Sequence, residues 1–388
     1  MQTYFPQSVQ ESANIVSRAG QKAQVLIPCG RQGLLGKHAY SFPRQSAFLS
    51  ARDLDGIVEY VRNNLSIKVQ AGVRLGKLQD AVSEDGLFLP LTDPGYQTRT
   101  IGSLIVEGAM GQEGLRFGSL LDAILGLEFV SPTGKVVHTG GQTVKNVSGY
   151  DFTRLFTRSW GSLGLITSAT FRLQPCLEDV VLLRAKVSDL RIGMDLAARV
   201  LASHMSVLNV RLTGQREEEG LSCILDVRMG GFSETVQEHV HRMKTEILAS
   251  AEHIEQARDA KAELPAFQEG SGYRHICGRG RLKAIASLAP ELESLGAKGR
   301  ILGLDIDCAR REIRIALSAA NSEEEEAEDR NLLGKDGIQF DIEPVQPDRI
   351  FSVIKAAIDP YGVFPSFEVM RPRHSGQASA FELERTLI

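Results

Sequence analysis

Two loops in this 388-residue chain have the residue types that receive a phosphate or a flat polyanionic ligand. The first follows the apolar run Ala23–Pro28 and reads Cys29-Gly30-Arg31-Gln32-Gly33-Leu34-Leu35-Gly36. Its three glycines let backbone N–H groups approach an anion with no Cβ in the way. The second lies in the stretch from Gly140 to Leu173. It holds Lys145, Asn146, Gly149, Tyr150 and Asp151, then Ser159, Gly161, Ser162, Leu163 and Gly164, and runs into Ile166 and a strand. A charge-assisted hydrogen bond in such a loop contributes roughly 1.5–3 kcal/mol. Ordinary turns in an α+β domain are the other reading of the glycines taken alone.

Further small-residue groups stand between the two loops. They are Asp93 before Pro94-Gly95, Thr100-Ile101-Gly102-Ser103, Gly108 with Gly111, and Arg116 with Gly118. Acid–base chemistry on an anionic substrate needs a base for the proton and a cation for the charge. His275 beside Arg274 is the candidate pair for that work; the catalytic residues are otherwise not assigned. His204, His239, His241 and His253 have no neighbours at metal-ligand spacing, and no metal site is expected.

The elements that must position these loops follow from the pattern. A helix is expected over 8–19, strands over 23–28 and 48–50, a helix over 54–63, a strand over 68–72, a helix over 75–83 and a strand over 87–89. Residues 125–131 and 135–138 read as a hairpin around Pro132-Thr133-Gly134. Beyond Pro175 come strands at 180–187, 206–212 and 221–229, with helices at 192–203 and 282–295. Val236, Val240, Met243, Ile247 and Ala251 mark one face of a helix over 233–253. Residues 301–307 and 312–318 pair around Cys308-Ala309-Arg310.

Composition sets bounds. The net charge of −4 implies no general polyanion affinity. Five widely spaced cysteines without a CxxC pair argue against a disulfide framework, a zinc site or an iron–sulfur cluster. No apolar run approaches the roughly 18 residues of a membrane span. The N-terminus lacks signal-peptide character, so a cytoplasmic location is expected, peripheral to the inner membrane only through partners.

The ordered string Lys145–Asp151, then Ser159-Trp160-Gly161-Ser162-Leu163-Gly164, resembles the PCMH-type FAD-binding fold of the vanillyl-alcohol oxidase superfamily. It is most similar to the FAD-binding E subunit of bacterial glycolate oxidase. The likeness is continuous from about Val25 to Pro175, and Ile354-Lys355-Ala356-Ala357-Ile358-Asp359-Pro360-Tyr361-Gly362-Val363-Phe364-Pro365 resembles the family's closing motif without its Asn. The resemblance implies an α+β chain: a two-subdomain PCMH-type FAD-binding domain over 1–175, an α+β cap with an antiparallel sheet over 176–345, and a segment over 346–388 that returns to the flavin domain and ends in a polar tail.

It also implies roles. Gly30, Arg31, Gln32, Gly33, Leu34 and Gly36 would meet the pyrophosphate. Asp93, Thr100, Ile101, Gly102, Ser103, Gly108, Gly111, Arg116 and Gly118 would line the phosphates and flavin. Lys145, Asn146, Gly149, Tyr150, Asp151, Gly161, Leu163, Gly164 and Ile166 would complete the pocket. The first loop has no His for a covalent link, so FAD is expected to bind non-covalently, and Gly33→Val or Gly161→Val is expected to abolish binding while leaving much of the chain folded. The D-type dehydrogenases' motif H-x-G-D-G-N-x-H is absent. The expected role is therefore a FAD-dependent oxidoreductase subunit of a glycolate or related 2-hydroxy-acid oxidase complex, partnered by a D-type flavoprotein and a Cys-rich iron–sulfur subunit. A stand-alone oxidoreductase and a non-catalytic flavin-fold scaffold are the alternatives.

Overall fold

The computed structural model describes residues 2–31, 45–140, 152–217, 220–258, 274–318, 338–340 and 349–366, with 322, 325 and 332. Helices and mainly antiparallel sheets make up two compact units. One comprises Met1–Glu113, Phe117–Cys176 and Pro344–Arg373, and the other Gly114–Arg116, Leu177–Glu343 and His374–Ile388.

In the first unit, β1 (Thr3–Tyr4), β2 (Val25–Cys29) and β3 (Ser46–Ser50) form a parallel sheet in the order β1-β3-β2. Helix α1 (Val9–Gln21) precedes β2. Ser8 caps α1 by accepting the Glu11 N–H, and its buried stripe is Ser12, Ala13, Val16 and Ala19. A second, antiparallel sheet has the order β4-β5-β9-β7-β8, from β4 (Ile57–Val61), β5 (Ser66–Gln70), β7 (Ile124–Val130), β8 (Val136–Gly140) and β9 (Leu165–Arg172). The small strands β6 (Leu87–Phe88) and β10 (Gln174–Pro175) pair antiparallel. Helices α2 (Leu75–Ser83) and α3 (Ile101–Glu107) lie between β5 and β7 in the chain.

The expected helix over 54–63 is not formed, because 57–61 is strand β4, an edge strand paired with β5. Leu54, Ile57, Val58 and Val61 have helical spacing, but only Leu54 is buried; Ile57 and Val58 are 38% and 53% exposed. With no core to receive that stripe, the β-branched residues take the extended form.

In the second unit an eight-stranded sheet has the order β14-β11-β13-β12-β16-β17-β15-β18. Its strands are β11 (Asp179–Val187), β12 (Val207–Glu217), β13 (Gly220–Gly231), β14 (His253–Arg258), β15 (Arg274–Gly280), β16 (Ile301–Asp307), β17 (Glu312–Leu317) and β18 (Ile338–Phe340). One set of alternating positions is apolar: Leu183, Val210, Leu212, Leu225, Val227, Ile306 and Ile315 pack with the helices Leu190–Ala202 and Ser233–Arg242. The other set is charged. Arg184 pairs with Asp226, Arg211 with Asp305, and Glu312 with Arg279 and Arg314.

The long helix expected over 233–253 ends sooner. It is α-helical to Arg242, wider over Met243–Ile247 and tight over Leu248–Ser250, and His253 begins β14. The helix expected over 282–295 divides into Leu282–Ala286 and Ala289–Ala297, where Pro290 opens the second piece.

Candidate functional site

Helix α3 joins the described parts of the two candidate loops. At its N-terminal end Thr100, which is buried, touches Gly30 so closely that a Cβ on Gly30 would lie 2.2 Å from Thr100 Oγ1. Ser50 Oγ donates to the Gly30 carbonyl oxygen at 2.7 Å, fixing the end of β2 from the neighbouring strand. The N–H groups of Ile101 and Gly102 donate to Val73 and Ala71, and Ser103 Oγ donates back to Thr100 O at 2.7 Å. A Cβ on Gly102 would stand 3.0 Å from Ala71 Cβ.

At the C-terminal end of α3, Gly108 has φ +73° and lies against Arg158, whose Cγ would be 2.5 Å from a Cβ there. Trp160 N–H donates to Val106 O at 3.0 Å. The loop that begins here is strained: Arg158 and Trp160 have φ of +65° and +52°, although neither is glycine. Gly161 follows at φ +82°, with Pro28 of β2 3.3 Å from the place of a Cβ. The loop therefore adjoins the strand that ends at Cys29 and Gly30. Ser159 and Ser162 are buried, and Ser162 Oγ donates to Ser159 O at 2.7 Å.

The C-terminal helix Arg349–Ile358 reaches the same loop. Lys355 Nζ donates to Ser162 O at 2.6 Å and to Phe364 O at 3.0 Å, and it pairs with Asp359. Asp359 in turn accepts the N–H groups of Val363 and Phe364 at 2.8 and 2.9 Å. Burial pushes the Lys355 ammonium below the ordinary lysine range, with Asp359 opposing that shift. Lys355 and Asp359 fall in the closing motif read from sequence, which gave neither a role at the Ser162 loop. Their signal was Lys355 standing four residues before Asp359, which itself precedes Pro360.

The other expected site residues fall out as follows. Ile101, Leu163 and Ile166 bury their side chains in the core, leaving only main chain to meet a ligand. Gly111 lies 2.8 Å, by the same measure, from the main chain of Leu91 and Thr92, and Thr92 N–H donates to buried Glu113. Asp93 accepts the Gly95 N–H at 2.9 Å. Gly118, at φ +79°, makes room for Asp122, which accepts from Ser119. Gly164, at φ +155°, packs on Val130 O. Arg31 is exposed and stands 3.8 Å from Asp55. Arg116 groups with the second unit, where its Nη1 donates to Gly230 O at 2.7 Å. Arg274 and His275 lie in β15 opposite Leu317 and Ala316. Gln32, Gly33, Leu34, Gly36, Lys145, Asn146, Gly149, Tyr150 and Asp151 lie outside the described residues.

Residues 2–140 match the family described as FAD binding domain. This part of the chain is similar to FAD-binding domains. Its matched region contains Gly30, Thr100, Gly102 and Ser103, the cluster built around α3. A D-lactate dehydrogenase of Archaeoglobus fulgidus is 33% identical over 179 residues, which are 46% of this chain and 40% of that protein. Glycolate oxidase subunit GlcD of Bacillus subtilis is 40% identical over 124 residues, 32% of this chain and 26% of the relative. Glycolate oxidase subunit GlcE of Escherichia coli is 30% identical over 178 residues, 46% of this chain and 51% of the relative. The alignments thus span between about a quarter and a half of these relatives.

The fold is shared more widely. An alkyldihydroxyacetonephosphate synthase structure superposes with a TM-score of 0.67 at 14% identity, covering 93% of this chain and 76% of that one. A chitooligosaccharide oxidase gives 0.66 at 12% identity, covering 96% and 92%. Those structures share the α+β fold expected from sequence, and the family match over residues 2–140 supports FAD as the cofactor.

The residues present fit that cofactor. Gly30 admits no side chain because Thr100 fills the place of its Cβ, and the left-handed loop at 158–161 brings main chain beside the same strand end. Exposed main chain at such a strand end would suit a dinucleotide pyrophosphate.

Proposed function

We propose that this chain is an FAD-binding subunit of a glycolate or related 2-hydroxy-acid oxidase complex. The observation that carries the reading is that a D-lactate dehydrogenase and both the GlcD and GlcE subunits of glycolate oxidase align with a part of this chain. The chain lacks the motif H-x-G-D-G-N-x-H, so the assignment is to the E-type role, with substrate oxidation on a D-type flavoprotein and electrons leaving through an iron–sulfur subunit. No described helix is long and apolar enough to cross a membrane, and the proposed location is the cytoplasm, with any membrane association through partners.

The FAD, when bound, supplies a two-electron acceptor that can hand electrons on singly. In this reading the protein's task is to bind and orient it. The loop Gly30–Gly36 takes the pyrophosphate, and Arg31 offsets its charge. Thr100, Gly102 and Ser103 flank the phosphates and ribitol, and main chain at Gly161–Gly164 and Ile166 closes the pocket. Lys145, Asn146, Gly149, Tyr150 and Asp151 complete it, and His275 with Arg274 are the proposed groups for an anionic substrate. Binding is non-covalent: the first loop offers no His to the flavin.

Tagged protein purified from its native host should carry a D-type flavoprotein and a Cys-rich iron–sulfur protein. Trichloroacetic acid should release intact FAD into the supernatant. A solitary chain that turns over a hydroxy acid at full rate overturns the subunit role, yellow precipitated protein overturns non-covalent binding, and a colourless protein that takes up no FAD leaves a scaffold.

A further inference from the structure

The loop Arg158–Gly164 holds three left-handed residues in four positions, and two of them are not glycine. Each non-glycine residue there costs roughly 1–2 kcal/mol, so the conformation persists only where neighbours impose it. The Trp160 N–H to Val106 bond and the Ser162 hydroxyl to Ser159 bond are two such constraints. The third comes from 193 residues away: Lys355 Nζ on the Ser162 carbonyl.

Lys355 has three N–H donors and three acceptors around it, namely Ser162 O, Phe364 O and Asp359. Asp359 is fully buried on its side chain and holds two main-chain N–H groups besides. The ammonium is thus fixed in place, and the Ser162 carbonyl cannot swing without abandoning it. Gly161, one residue earlier, lies against Pro28 at the entrance to the Gly30 loop.

We propose that Lys355, oriented by Asp359, is a positioning residue for FAD: it clamps Ser162 so that the strained loop presents its main chain to the cofactor. The inference rests on the FAD-binding reading and goes beyond it, because it makes cofactor affinity depend on the C-terminal helix. Lys355 itself does not touch FAD. Its loss frees the loop to relax into the ordinary right-handed region, where its N–H and C=O groups point elsewhere. The cation also neutralises Asp359, so the same loss leaves a buried carboxylate without its partner.

The test uses full-length protein stripped of flavin and titrated with FAD, following flavin fluorescence and the visible spectrum. Lys355→Met should weaken FAD binding at least about tenfold and blur the vibronic shoulders of the bound spectrum. Asp359→Asn should do the same to a smaller extent, and it decides the matter if Lys355→Met does not fold. Lys355→Arg, which keeps a cation, should recover most of the affinity. The control is Val16→Ala, which removes buried volume from α1 of the same unit. It should lower the melting temperature of the flavin-free protein without changing the spectrum. If Lys355→Met and Asp359→Asn bind FAD no worse than Val16→Ala at matched stability, the clamp is wrong. If the unaltered protein takes up no FAD, the FAD-binding reading fails and the clamp with it, an outcome visible before any variant is measured.

Discussion

Gly30 and Thr100 are mutually exclusive of any added atom: a Cβ on the first would fall 2.2 Å from the Oγ1 of the second. A methyl group at position 30 must therefore push α3 or the end of β2 aside. Overpacking of this kind costs typically 1–3 kcal/mol. Gly30→Ala should lower the denaturant midpoint and weaken FAD binding, and Thr100→Ala added to it should return a good part of both. A double-mutant cycle that closes to zero coupling would refute this contact.

Gly161 does not isolate the cofactor in the way its sequence suggests. With φ +82° it strains under any branched residue before FAD arrives. Gly161→Val should destabilise the flavin-free protein, by about 1–2 kcal/mol or more. Gly161→Asn, which tolerates the left-handed region, should lose less. Equal melting temperatures for the two flavin-free variants would contradict this account.

The charged face of the large sheet yields a third test. Arg211 grips Asp305 with two hydrogen bonds of 2.5 and 2.7 Å, and both residues are buried. Arg211→Ala should cost about 3–5 kcal/mol, because it leaves a buried carboxylate with only the more distant Arg314, 3.9 Å away. Arg211→Met with Asp305→Leu should recover most of that loss in urea unfolding. A double variant as unstable as the single one would show that the pair's worth is not electrostatic.

Alkaline pH should loosen the second unit in a way traceable to two thiols. Burial, reinforced by nearby acids, pushes Cys223 and Cys308 from 9.0 up to about 12. The folded state thus holds their protons more tightly than the unfolded chain does. That contribution is complete below pH 9 and is lost as pH rises through about 12. Stability should fall across this window, and Cys223→Ala should flatten the fall. An unchanged alkaline slope in that variant would exclude Cys223 as a source.

Local pattern carried much of the fold. The hairpin β7–β8 closes where Pro132-Thr133-Gly134 marked it, with Ser131 N–H bonded to Lys135 O. The buried face of the helix at 233–242 is the one its spacing showed. What misled was a short stripe with no core beneath it, as at 57–61, and strand β14, whose His253–Arg258 sequence offers one large apolar residue, Ile254. The site was half legible. Its glycines announce themselves by type, but the pairing of Gly30 with Thr100, or of Ser162 with Lys355, depends on where distant segments come to rest. No window of sequence encodes that.

The bond from Leu26 N–H to Val363 O, 2.7 Å long, has a consequence for synthesis. Strand β2 emerges from the ribosome before its partner, which follows hundreds of residues later. At about 5–20 residues per second the wait is on the order of twenty seconds to a minute. Throughout it, the unit built first lacks the piece that seals it, while the unit encoded between can already fold. A truncated or stalled chain would thus carry an unsealed flavin domain. Cofactor uptake would then report that translation had run to the closing motif, and yellow colour would separate finished molecules from unfinished ones.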